Sequence, residues 1–386
     1  MDALRRAVIL LVLLLVIPAT GSAQSADNPW FVRTGVTSAF IFSANPYANA
    51  GHPGGPINSG RDLTFEIGRR TDGREDWHQL YGVPSWGFGF SLGSFSNDVV
   101  HARPTEAYTF FSWPFARFTD RLDMATEFGG GMSWHWKEVA DDATEHETSL
   151  GSNLNARINW GFFLRYVTTP QITLFTGVDY THRSNGGMVQ PDIGINVIGP
   201  KVMVQYNFAP MTQLVTKPPP FSPSWEFIAG GTAGIKNVIE RKDPLARSNY
   251  GSFDATTGLQ HQFYQYGKVA VGADLAYDGA TGVKIDDNDV RWRAGGSQRW
   301  SVGLYGGYEH VVGRFSALVQ VGDAVARGFD DPEAPRLYER FGWRYHFNDR
   351  YWSTIVIRAV DGWRADALQF GLGYRMRISR SKEVRK

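Results

Sequence analysis

Apolar and polar residues alternate with a period of two along most of this chain. From Leu154, one parity carries Leu154, Ala156, Ile158, Trp160, Phe162, Leu164 and Tyr166. The other carries Asn153, Asn155, Arg157, Asn159, Gly161, Phe163 and Arg165. Successive side chains of a β-strand point to opposite faces, so this run predicts a strand with one greasy and one wet side. The run from Leu122 has the same form. Leu122, Met124, Thr126, Phe128, Met132, Trp134 and Trp136 oppose Asp123, Glu127, Ser133 and His135. The rhythm predicts further strands near Trp30–Phe42, Asp62–Thr71, Val83–Phe95, Ala107–Phe118, Gln171–Ser184 and Asn196–Phe208. It resumes beyond a Pro-rich stretch, Lys217–Pro223, near Ser224–Asn237, Tyr250–Phe263, Lys268–Tyr277 and Arg299–His310. The last expected strands are Arg314–Ala326, Arg336–Phe347, Tyr351–Val360 and Ala365–Ile378. The tally is about sixteen, and bacterial membrane barrels have even strand numbers.

A soluble sandwich alternates too, with its apolar face inward. Two features favour an antiparallel transmembrane β-barrel. The runs are long enough to cross a bilayer at a tilt, and charged and amide residues recur on one face of strand after strand. Short turns at Thr119–Arg121, Thr168–Gln171, Val312–Arg314 and Asn348–Arg350 are interleaved with long segments such as Ala44–Gly60, Lys137–Gly151 and Gly279–Gln298. Outer-membrane barrels show this asymmetry, with short turns on the periplasmic side. The expected architecture is one barrel of about sixteen strands, with two eight-stranded barrels in tandem as the alternative. The Pro-rich stretch favours the tandem form, and the unbroken rhythm favours the single barrel.

The N-terminus predicts export. Arg5-Arg6 precede the apolar run Ala7–Ile17 and the small residues before Ala23. This is a signal-peptide pattern over 1–23, too short to span a bilayer. The expected organisation is then a barrel region over 24–208, a linker over 209–223 and a further strand region over 224–386. The 386 residues include no cysteine, which excludes a disulfide framework and a Cys nucleophile. The formal charge is +1, without the basic excess that nucleic acid requires. Aromatics make up 14% of the chain, and the scattered Trp and Tyr residues read as an interfacial girdle.

The candidate chemistry lies in Tyr180-Thr-His-Arg-Ser-Asn-Gly-Gly187. His182 and Ser184 are two residues apart, so both face one side of their strand. A hydroxyl beside an imidazole is the minimum for a base-activated nucleophile. Their parity also carries Ile172, Leu174, Thr176, Val178 and Tyr180, the greasy side. Polar groups on a lipid face are costly unless they serve a function. With a periplasmic N-terminus, the seventh strand rises and its end lies at the outer leaflet.

Thr181-His-Arg-Ser-Asn-Gly-Gly187 followed by Gln190-Pro-Asp-Ile-Gly-Ile-Asn196 resembles the motif of the PagL-type lipid A 3-O-deacylases, outer-membrane barrel esterases of Gram-negative bacteria. The resemblance is specific over roughly Asn153 to Phe208. A family barrel has eight strands and ends near Phe208, so residues beyond the linker have no counterpart in small members. The resemblance implies an outer-membrane ester hydrolase acting on lipid A of lipopolysaccharide, with Ser184 as nucleophile and His182 as base. It implies Asn185 and Gly187 as oxyanion donors and a reaction that needs no metal or organic cofactor. Best-known members carry Glu where this chain has Asn196. An Asn can orient an imidazole, as in Cys-His-Asn proteases, but offers no charge to the imidazolium. Asp192 is a second candidate for that place.

Other positions have plainer expectations. His135 reads as a wall residue. The acidic loop Asp141–Glu147 reads as solvated, with divalent cations as its alternative ligands. Gly230–Gly234 is no phosphate loop, since no helix follows. Arg380–Lys386 is a basic tail. The competing function is a porin-like or structural barrel with an idle motif, its lumen lined by Arg157, Arg165, Asp179 and Lys201.

Overall fold

The computed structural model describes residues 28–41, 59–95, 103–136, 150–190, 192, 194–210, 220–239, 247–282, 294–329, 335–362 and 364–380. The signal pattern, the acidic loop 141–147 and the tail beyond Arg380 lie outside the described residues.

Among the described residues sixteen strands form, as the alternation predicts, but they close into two barrels of eight. The first comprises β1 (Trp30–Ile41), β2 (Ser59–Arg70), β3 (Ser85–Phe95), β4 (Thr105–Arg117), β5 (Leu122–Trp134), β6 (Asn155–Val167), β7 (Ile172–Ser184) and β8 (Ile195–Asn207). The second comprises β9 (Ser224–Ile239), β10 (Arg247–Tyr264), β11 (Gly267–Asp278), β12 (Trp300–Val312), β13 (Phe315–Arg327), β14 (Leu337–His346), β15 (Tyr351–Val360) and β16 (Arg364–Arg380). A short helix, α1 (Asp76–Leu80), interrupts the β2–β3 connection. Every strand pair is antiparallel, with β1 closing on β8 and β9 on β16.

The expected single barrel of about sixteen strands is therefore corrected to the tandem form. The interior explains why. Arg33 of β1 forms ion pairs with Glu66 of β2 and, at 2.6 Å, with Glu127 of β5 on the far side. Arg183 of β7 reaches Glu106 of β4 at 2.5 Å. In the second barrel, Arg340 of β14 pairs with Asp254 of β10 and Asp274 of β11 at 3.2 and 2.8 Å. Such partners meet only across a narrow barrel, and eight strands enclose a space that side chains just fill. Buried charges persist when they are paired in this way.

The same packing removes the expected lumen. Arg157 binds Glu106 at 2.7 Å and Lys201 faces Asp179 at 3.4 Å, all four buried. Arg165 is held by Asp123 at the rim. In the first barrel these residues pair with one another instead of lining an open channel.

Polarity is inverted relative to a water-soluble barrel. Val36, Phe88, Phe162, Leu174, Val178, Val271, Leu304 and Phe370 all point outward and are exposed. An apolar belt outside and a polar filling inside are the arrangement of a barrel that crosses a membrane. Among the described residues no helix is long and apolar enough to do so.

Candidate active site

β7 delivers the motif. Its inward parity, Thr173, Phe175, Asp179, Thr181 and Arg183, is buried in the first barrel. That registration turns Tyr180, His182 and Ser184 outward, as the alternation predicts. The imidazole Nε2 of His182 lies 3.0 Å from Ser184 Oγ. Its Nδ1 lies 2.7 Å from Asn196 Oδ1. His182 and Asn196 are direct partners across β7 and β8, which brings residues fourteen positions apart onto one line.

The tautomer follows from the partners. Asn196 Oδ1 is an acceptor, so His182 Nδ1 carries the proton and donates to it. Nε2 is left with a lone pair facing the serine hydroxyl. The Tyr180 hydroxyl also donates to Asn196 Oδ1, at 2.6 Å, and pins the amide from the other side. The sequence places Tyr180 on the parity of His182, but the alternation alone assigns it no role. Nor does it single out Gly194. With φ at +80°, a Cβ there would sit 2.7 Å from His182 Cε1 and 3.0 Å from the Arg183 carbonyl oxygen. Only a glycine lets the imidazole lie flat at this point.

Asp192 stands apart from the histidine line. Its carboxylate accepts the backbone N–H of Asn185 at 3.1 Å and that of Gly187 at 2.9 Å. Burial pushes this carboxyl up to about 6, outweighing the backbone donors from Gly187, Asn185 and Gly186 that favour its charge. The Asn185 side chain is used within the loop as well. It donates to the Val189 carbonyl at 2.7 Å and accepts the Val189 N–H at 3.1 Å. The two expected oxyanion residues thus sit beside Ser184, with their donors turned to Asp192 and Val189.

The remaining singled-out residues have structural partners. His135 Nδ1 lies 3.0 Å from Thr105 Oγ1, and its backbone N–H donates to Asn153. Gly230–Gly234 lies inside β9, in no phosphate-binding turn. Among the described residues no cluster of potential metal ligands occurs.

Comparison with known proteins adds family to geometry. A family described as lipid A 3-O-deacylase (PagL) matches residues 63–207, the first barrel from β2 to β8. A second, described as acyloxyacyl hydrolase, C-terminal domain, matches 223–378, the second barrel. The chain belongs to this family. PagL-family proteins are ester hydrolases, and this one carries the family's C-terminal domain as its second barrel. Among solved structures, the outer membrane enzyme PagL is 18% identical, covering 47% of this chain and 99% of its own at a TM-score of 0.29. CdiB from Acinetobacter baumannii is 10% identical, covering 90% and 60% at a TM-score of 0.19. A mutant porin of Rh. blastica is 9% identical, covering 90% and 99% at a TM-score of 0.17. No curated protein matches the chain.

Proposed function

We propose that this protein is a Gram-negative outer-membrane esterase that removes the 3-O-linked acyl chain of lipid A. The observation that carries this is the unbroken line Ser184–His182–Asn196 on the outward, lipid-facing wall of a PagL-family barrel. His182 Nε2 takes the proton from Ser184 Oγ as the oxygen attacks the ester carbonyl. The tetrahedral intermediate collapses to an acyl-serine, and the imidazolium returns the proton to the departing sugar hydroxyl. Water then attacks the acyl-serine with His182 again as base, releasing the fatty acid and restoring Ser184. Asn196 orients the ring through Nδ1, without the charge a carboxylate would lend the imidazolium. Asn185 and Gly187 are the proposed donors to the developing oxyanion. Both N–H groups reach Asp192, so the oxyanion must share or replace that carboxylate as their acceptor.

Mass spectrometry of lipid A from cells expressing the wild type and Ser184→Ala is the test. Loss of one acyl mass with the wild type alone is expected. Unmodified lipid A with both overturns the assignment.

A further inference from the structure

The loop that follows Ser184 rests on the second barrel. A Cβ on Gly187 would lie 3.1 Å from the Ala365 carbonyl oxygen, and one on Gly186 would lie 3.8 Å from Ile357 Cδ1. The Gln190 N–H donates to Asn237 Oδ1 on β9 at 3.0 Å. Further down the strands, level with Tyr180 by register, the rings of Phe128 on β5 and Trp343 on β14 stand 4.8 Å apart. The barrels therefore meet above and below the level of the catalytic pair.

Strand register places one unusual residue between these contacts. Glu339 pairs with Ala359, and Ala359 with Ala365. Glu339 shares the outward parity of Trp343, four residues and roughly 13 Å along β14. Outward positions lower on this face are open, Ile355 being 46% exposed. Glu339 is 3% exposed, Ala359 is fully buried, and among the described residues Glu339 Oε2 has no hydrogen-bond partner. A carboxylate on an apolar outer wall is unfavourable without a function, and a buried acceptor left unpaired points to an absent donor.

The first barrel offers a matching hollow. Ser184 pairs with Ala156, and His182 with Ile158, which pairs with Gly130. A Cβ on outward-facing Gly130 would meet nothing nearer than the Arg157 carbonyl oxygen at 3.8 Å. Beneath this notch the register lines up Tyr180, Trp160, Phe128 and Phe111 as an aromatic shelf. The notch runs two strands, roughly 10 Å, from the nucleophile toward the second barrel.

We propose that the outward face of β14–β16 is the second wall of the substrate cleft. Its apolar part packs the acyl chain against Gly130 and the shelf, and the Glu339 carboxylate accepts a hydrogen bond from the sugar head group. This rests on the ester-hydrolase function above. A glucosamine ester supplies both halves: a hydrocarbon chain for the slot, and hydroxyl and amide donors for a charge-assisted bond.

The test uses the full chain in mixed micelles with 3-O-acyl glucosamine esters of graded chain length. Gly130→Leu fills the notch and shifts preference to shorter chains. Trp343→Ala opens it and shifts preference to longer ones. Each changes the long-to-short ratio of kcat/KM by about tenfold. Glu339→Leu raises KM for the sugar esters by about tenfold while leaving kcat and a simple alkyl ester unchanged. Leu304→Ala, on the exposed outer face of β12, leaves the profile as it is. Should Trp343→Ala fail to insert, Ile357→Ala takes its place. Chain-length profiles that do not move, or a Glu339→Leu loss shared by sugar and alkyl esters, overturn the proposal alone. A wild type that cuts none of the esters overturns the hydrolase function instead.

Discussion

The two barrels share strand number, antiparallel closure and an interior of paired charges, yet they differ on their outer walls. On β7, the penultimate strand of the first barrel, the outward end carries Tyr180, His182 and Ser184. On β15, the penultimate strand of the second, it carries Ile355, Ile357 and Ala359. Charge inside a barrel is structural, because the opposite wall neutralises it. Polar groups outside have no such partner, and on the proposed function those of β7 carry the chemistry. The difference teaches that in such folds function is sought on the face that the hydrophobic pattern reserves for lipid.

The sharpest way to break this comparison is Ser184→Ala, which makes the end of β7 as inert as that of β15. Ester hydrolysis is expected to fall by about 10⁴-fold, measured as fatty acid released, with the barrel still folded. Asn196→Ala removes the imidazole's orienting acceptor and is expected to lower kcat by about 10²-fold. An unchanged rate would mean the histidine is held by its packing alone. Gly194→Ala pushes a methyl group into the His182 ring and strains a backbone at φ +80°, so about a tenfold loss is expected. Gly251→Ala in the second barrel, where a Cβ meets nothing within 4 Å among the described residues, serves as its silent counterpart.

The smallest effect concerns Asp192. Its carboxyl titrates at about 6 in the folded chain against 3.8 in an open one. The folded state therefore binds this proton more tightly. The stability it confers is complete below pH 3.8 and is lost as pH rises through about 6. Urea unfolding across that window should show the wild type losing stability relative to Asp192→Asn. Parallel slopes would refute the linkage.

Much of this was legible in the sequence. Period-two alternation in β6 and β7 sets which side chains face inward, and so puts His182 and Ser184 on the greasy side. Asn196 was reachable through the resemblance to the deacylase motif, whose best-known members carry Glu there. Closure was not legible, because the pairing of Phe31 with Asn207 joins the ends of the first barrel and leaves no local trace. A sixteen-stranded cylinder and two eight-stranded ones share the same alternation, and only interior partners such as Arg33 and Glu127 separate them. Asp192's grip on Asn185 and Gly187 was hidden for a different reason. It depends on the path of a loop, which residue periodicity does not encode.

Ser184 shares the outward parity of β7, and on the proposed function this governs traffic as well as reaction. A nucleophile on a lipid-facing wall would meet its reactants by lateral diffusion. Its turnover then follows their surface fraction among neighbouring lipids, so that diluting them with inert amphiphile slows the enzyme even when their bulk concentration is held constant.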